Sequence, residues 1–184
     1  VFSASQLGVF SDLQIDAFEP DDIAALTTTQ IRGLTATEIA GFDATQMAAL
    51  SSTQISALGA LQLRGLSTTQ IAGLSTAQLS GLGSTQIAAL TITQVAALTT
   101  TEISALTTTQ IQGLGRSAVA GLSAEQLSAF ADTQIGALTR TAVPGLTTSQ
   151  LAALSLAQVG GLTATQIDAL TTTQVASLST LQIA

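Results

Sequence analysis

The sequence predicts an all-α fold, a solenoid of very short capped helices with eight residues per repeat. Three observations carry that expectation. The same eight-residue pattern runs from Phe2 to the end of the chain without insertion or deletion. A short hydroxyl or carboxylate residue recurs three positions before Gln or Glu, the spacing of a helix capping box. Two apolar residues bracket that pair, where a hydrophobic staple places them.

Leu106–Gly113, LTTTQIQG, is a representative unit. We label its positions a to h, with Leu at a, Thr at b, c and d, Gln at e and Ile at f. Position g is variable and h is small. Stepping by eight from Phe2 gives 22 complete units and a seven-residue remnant at 178–184, so residues 1–184 read as a single array. Position a is Leu or Phe in all 23, and position f is Ile, Leu, Val or Met in all 23. An apolar pair kept this strictly is the expected core.

The helix start is the best-marked element. Position b is Ser, Thr or Asp in 18 units, and Gly, an acceptable cap, at Gly59, Gly83 and Gly115. Position e is Gln in 18 units and Glu at Glu38 and Glu102. The Thr107 hydroxyl is expected to accept from the Gln110 amide, while the Gln110 side chain reaches back to the amide of Thr107. Pro20 falls at c, the first helical position, where proline is favoured. The helix end is marked by h, which is Ala or Gly in 20 of the 22 complete units, Val9 and Ser177 being the exceptions. Glycine there predicts a left-handed residue that ends the helix. Alanine is less comfortable at positive φ, so some helices are expected to run through h.

Two other conformations fit fewer letters. In a continuous α-helix, eight residues at about 100° each carry the apolar stripe round by about 80° per unit, so no face stays buried. A strand puts a and f on opposite faces. The alternative that remains is a β-solenoid, favoured by Thr, Ile and Val. Against it stand frequent Ala, Leu and Gln, the lack of Asn, and the capping spacing. A helix this short needs neighbours, which stacking into a solenoid supplies. A strict period of eight leaves open how many units make one turn of the coil.

The pattern L-[TS]-x-x-Q-[IV]-x-[AG], seen as LTTTQIRG, LSTTQIAG and LTTTQVAS, resembles octapeptide tracts of very large repetitive proteins of Gram-negative bacteria. Those proteins are often labelled as secreted or surface adhesins. The resemblance covers essentially the whole chain. It implies an extracellular or cell-surface location and a structural or adhesin-like role, and it carries over no binding residues.

Composition narrows the function classes. The chain lacks Cys, His, Lys, Asn, Trp and Tyr. Net charge is −7, with four Arg and no Lys, which argues against a nucleic-acid partner, since neutralising phosphates takes clustered cations. Mean hydropathy is +0.52, yet Ser, Thr and Gln interrupt every apolar run, so no membrane span is expected. No signal peptide is visible, and the chain starts inside the pattern and stops within a unit. It reads as a processed product or a segment of something longer.

Nucleophilic catalysis needs a base beside Ser or Thr. No His or Lys supplies one, so neither an enzyme nor a cofactor is expected. The acidic residues Asp12, Asp16, Glu19, Asp21 and Asp22 cluster near the start. Asp16, Glu19, Asp21 and Asp22 are the candidate Ca²⁺ ligands, through oxygen chemistry alone. The favoured reading is that the acids of the Pro20 helix offset its dipole. Two units, Leu114–Gly121 and Leu138–Gly145, replace Gln at e by Ala118 and Ala142 and carry Arg116 and Arg140 at c. Pro144 is expected to deform the second of them.

The leading expectation is a structural protein, a stalk, fibre or filament subunit outside a bacterial cell. The alternative uses regular threonine as a binding surface for ice or an extended polysaccharide. Terminal units carry the ordinary core residues Phe2, Leu7, Leu178 and Ile183. A solenoid without polar end units is expected to associate with itself head to tail.

Overall fold

A computed structural model describes residues 2–183. Each complete unit forms one short element. There are 21 α-helices of four to six residues and one 3₁₀ turn, Val143–Gly145, with no strand among the described residues. The α-solenoid expectation holds, and the β-solenoid alternative does not.

Position b is the N-cap of every α-helix, in extended conformation. Thr107, for example, has φ −71° and ψ 159°, and the helix Thr108–Ile111 follows. Pro20 opens the helix Pro20–Ala25, as its fixed φ and missing N–H allow. Helices end between f and h, and the chain then passes through extended residues at a and b. Leu58, at φ −62° and ψ 130°, leads into Gly59 at φ −78° and ψ 164°.

The expectation of a left-handed glycine at h is wrong. No described residue, glycine included, has positive φ. Gly41 sits at φ −74° and ψ −15°, still right-handed. The bend is made by two consecutive extended residues, so nothing at h has to reverse hand. Glycine is used instead for close approach. A Cβ at Gly81 would overlap the Ser52 carbonyl oxygen, and one at Gly113 would overlap that of Ser84. Both contacts join a helix to the one three units earlier.

That pairing recurs along the array. Ala36–Ala40 packs on Ala60–Gly65, Thr68–Ala72 on Ile92–Ala97, and Arg116–Ala120 on Val143–Gly145. Side chains at f fill the axis, with Ile31, Ile55, Ile103 and Ile111 wholly buried, and those at a close around them. The two rows form a continuous apolar core from Leu7 to Leu162. Each buried Leu or Ile contributes about 1.5–3 kcal/mol relative to exposure. At the first turn the a residues are aromatic. Phe2 and Phe10 meet edge to face at 5.0 Å, and Phe10 and Phe18 lie 5.9 Å apart.

Candidate functional site: a ladder of buried glutamines

The capping box forms as its spacing predicts. The Thr107 N–H donates to Oε1 of Gln110 at 2.8 Å, and the Gln110 N–H donates to the Thr107 hydroxyl oxygen at 3.2 Å. That exhausts only half of the carboxamide. Nε2 of Gln110 donates to the carbonyls of Leu79 at 2.6 Å and Leu82 at 2.9 Å, 31 and 28 residues earlier. Gln62, Gln78, Gln94 and Gln158 repeat the arrangement with the same two separations.

In repeat terms, the two carbonyls belong to f of the fourth preceding unit and a of the third. They flank the bend at a helix end, where the f carbonyl also accepts a backbone N–H, that of Leu82 on Leu79 at 3.0 Å, and the a carbonyl accepts none. One glutamine therefore caps the start of its own helix and the end of a helix one turn of the coil below. The separations of 28 and 31 residues set that turn at between three and four units.

Among the residues found at this position, only glutamine supplies all three bonds. The amide offers an acceptor oxygen for the cap N–H and two N–H donors for two carbonyls. These groups are buried, Gln94 to 2 % and Gln110 to 3 % exposure, so each unmade bond would carry a desolvation cost. The inter-turn bonds were not foreseen from the sequence. Their signal was there, because a capping box accepts Glu as readily as Gln, whereas this chain uses Gln 18 times and Glu twice.

The exceptions sort by what they lack. Glu38 and Glu102 keep the cap bond, from the N–H of Thr35 and Thr99 respectively, and are as buried as the glutamines. Oε1 of Glu102 is a buried oxygen without a hydrogen-bond partner. The helix Arg116–Ala120 has neither half of the box, since Gly115 has no hydroxyl and Ala118 no carboxamide. An open notch of about 220 Å³, lined in part by Ile87, Leu90, Ile92 and Ala118, marks the missing side chain. At Ala142 the hydroxyl half survives, with Ala142 N–H on Thr139 at 3.2 Å, and Pro144 tightens the unit into the 3₁₀ turn. Gln174 consequently reaches Pro144 at 3.3 Å in place of Val143, and Leu146 at 2.6 Å. The two irregular units stack directly on one another, and Arg116 and Arg140 are both exposed.

Asp22 is exposed and folds back on the start of its own helix, its carboxylate accepting from the Glu19 N–H at 3.1 Å, and Asp21 and Asp22 occupy the first turn of the Pro20 helix. Among the described residues, no three Asp, Glu, His or Cys side chains are gathered to hold a metal ion. The Asp12 side chain lies outside the described part of the structure. Asp43 is an exposed N-cap whose carboxyl is held below its ordinary range, first by the backbone N–H of Gln46 and then by the Thr45 hydroxyl. The outward threonines at c and d alternate with exposed apolar residues, Leu61, Ile92 and Leu156. No described helix is long and apolar enough to cross a membrane.

A family profile described as the ALTTAQ repeat matches residues 15–52, 23–60, 55–92 and 143–180. No curated protein matches the chain.

Proposed function

The chain belongs to the ALTTAQ repeat family, and on that premise we propose that it is a structural element, a stalk or filament segment outside a bacterial cell. One observation carries this reading. Each turn of the coil is fastened to the preceding one by the same pair of glutamine bonds, from Gln46 on Ile15 and Phe18 to Gln182 on Leu151 and Leu154. Such a body lengthens by adding units, with no change to those already present. The extracellular, adhesin-like setting rests on the octapeptide resemblance.

Self-association is part of the proposal. The first turn presents half-exposed Phe2, with Gln6 and Gln14 at e. The opposite face exposes Ile167, Val175, Leu181 and Ile183, and a concavity of about 600 Å³ opens among them. Apart from Leu181 at d, these are the groups that interior turns use to join, so a second copy is expected to stack head to tail on the first. Electron microscopy of the purified chain should show rods that lengthen with concentration. Phe2→Gln with Ile183→Gln should shorten them while circular dichroism stays unchanged. A stable 18.4 kDa particle at high concentration would refute the stacking. The exposed c and d positions are too often apolar for a continuous hydroxyl face, and measurable thermal hysteresis would replace the structural reading with ice binding.

A further inference from the structure

The notch beside Ala118 has a defined chemistry, set by the backbone groups that a glutamine would have joined. The template is the unit Leu58–Gly65, whose cap is also glycine. There the Gly59 N–H donates to Oε1 of Gln62 at 2.7 Å. Nε2 of Gln62 donates to the carbonyls of Ile31 at 2.8 Å and Leu34 at 2.7 Å. Three backbone groups from two turns thus hold one carboxamide. Counted back by the same separations from Ala118, their counterparts are the Gly115 N–H and the carbonyls of Ile87 and Leu90.

Ala118, Gly115, Ile87 and Leu90 all line the open notch of about 220 Å³. The Ile87 carbonyl accepts the Leu90 N–H at 3.2 Å and keeps a second lone pair. Among the described residues, nothing is hydrogen-bonded to the Gly115 N–H or to the Leu90 carbonyl, although Leu90 is buried. Ala118 is half-buried, and Gly115, Arg116 and Ser117 are exposed around it, so the notch opens to solvent. The other irregular unit offers no such access at its alanine. Ala142 is 1 % exposed, its N–H taken by the Thr139 hydroxyl within the tightened turn.

We propose that this notch is a binding site for a small ligand carrying a primary carboxamide on a short aliphatic stem. The ligand oxygen accepts from the Gly115 N–H, and its NH₂ donates to the carbonyls of Leu90 and Ile87. The stem enters from the open side and lies against the side chains of Ile87, Leu90 and Ile92, which line the notch. The pattern of donors and acceptors selects this class. A carboxylate has acceptors only and would set them against two carbonyls. An ammonium has donors only and leaves the Gly115 N–H unmet. Arg116, exposed at the rim, is the one group there that would favour an anion.

Propionamide, which has the carboxamide and stem of a glutamine side chain, is the probe. In nitrogen-15 NMR titrations the Gly115 amide resonance should shift saturably as propionamide is added. Propionate and N,N-dimethylpropionamide, neither of which can donate to the carbonyls, should bind about tenfold more weakly or worse. Ala118→Gln supplies the carboxamide from within and should abolish the response. Ala118→Met fills the notch without an amide and should do the same, with circular dichroism checking that both variants are folded. No saturable shift at the highest soluble concentration overturns the proposal. So does equal binding of propionate, which would assign the notch to Arg116 and anions. Equal binding of the dimethylated amide would reduce it to an apolar pocket, and a response retained in folded Ala118→Gln would place the binding elsewhere. Either result also overturns it.

Discussion

Two neighbouring units, Leu106–Gly113 and Leu114–Gly121, separate what holds the array together from what holds it in register. The first has every device of the repeat, with both halves of the capping box and both inter-turn bonds. The second has none of them, because Gly115 and Ala118 supply no side-chain polar group. Yet both bury their core equally well. Leu106 and Ile111 are 4 % and 0 % exposed, and Leu114 and Val119 are 1 % and 0 %. Apolar residues at a and f are enough to keep a unit in the coil. Glutamine adds hydrogen bonds that fix where one turn sits on the next.

Breaking the complete unit at its ladder should have the largest effect. Gln110→Ala removes the carboxamide's bonds to Thr107, Leu79 and Leu82 and leaves the Leu82 carbonyl without a donor, the Leu79 carbonyl keeping the Leu82 N–H. A loss of about 2–4 kcal/mol is expected from bonds worth about 1 kcal/mol each and the desolvation left behind. The reciprocal change, Ala118→Gln, should gain stability in the depleted unit. Urea unfolding followed by circular dichroism checks both, and an unchanged stability in Gln110→Ala would contradict the donor role. Next comes close approach. Gly113→Ala drives a Cβ into the Ser84 carbonyl and should cost about 1–3 kcal/mol, whereas no neighbouring atom meets a Cβ at Gly115.

Losing the cap alone should be milder. Thr107→Ala is expected to cost about 0.5–2 kcal/mol, while Thr108→Ala, at an exposed position without a cap bond, should cost little. Similar losses at the two sites would show that the helix starts elsewhere. The smallest effect is at Asp43. Its carboxyl is held below the ordinary range in the fold, so its contribution is present above the unfolded carboxyl's range, about pH 3.9, and is lost as the pH falls through the folded value. The stability difference between wild type and Asp43→Asn should therefore shrink in acid, and carbon-13 titration of the Asp43 carboxyl should place its transition below that of a model peptide.

Local features were legible because the repeat states them many times. Caps at b, return bonds from e, the buried a and f rows and the deformation at Pro144 all follow from interactions within one unit. Relations between units were not legible. A period of eight carries no information about which unit lies above which, so the turn of between three and four units had to come from the structure. Glycine at h misled for the same reason. Its local meaning is a left-handed cap, but its use at Gly81 and Gly113 is to admit a backbone from three units away. The buried glutamine face was hidden by a motif that explained the residue too well, since capping accounts for Oε1 and says nothing of Nε2.

Gln110 reaches the carbonyls of Leu79 and Leu82, which lie on either side of a bend. In a mason's terms, the glutamines tie the coil in running bond, each spanning a joint of the course beneath. A wall of stacked columns splits along its continuous seams, whereas staggered courses leave no straight line of joints. Parting one turn from the next means pulling glutamines away from several offset joints together. Force applied along the coil is thereby spread over neighbouring units, and the two defective bricks that stack on one another, Leu114–Gly121 and Leu138–Gly145, are flanked by sound ones.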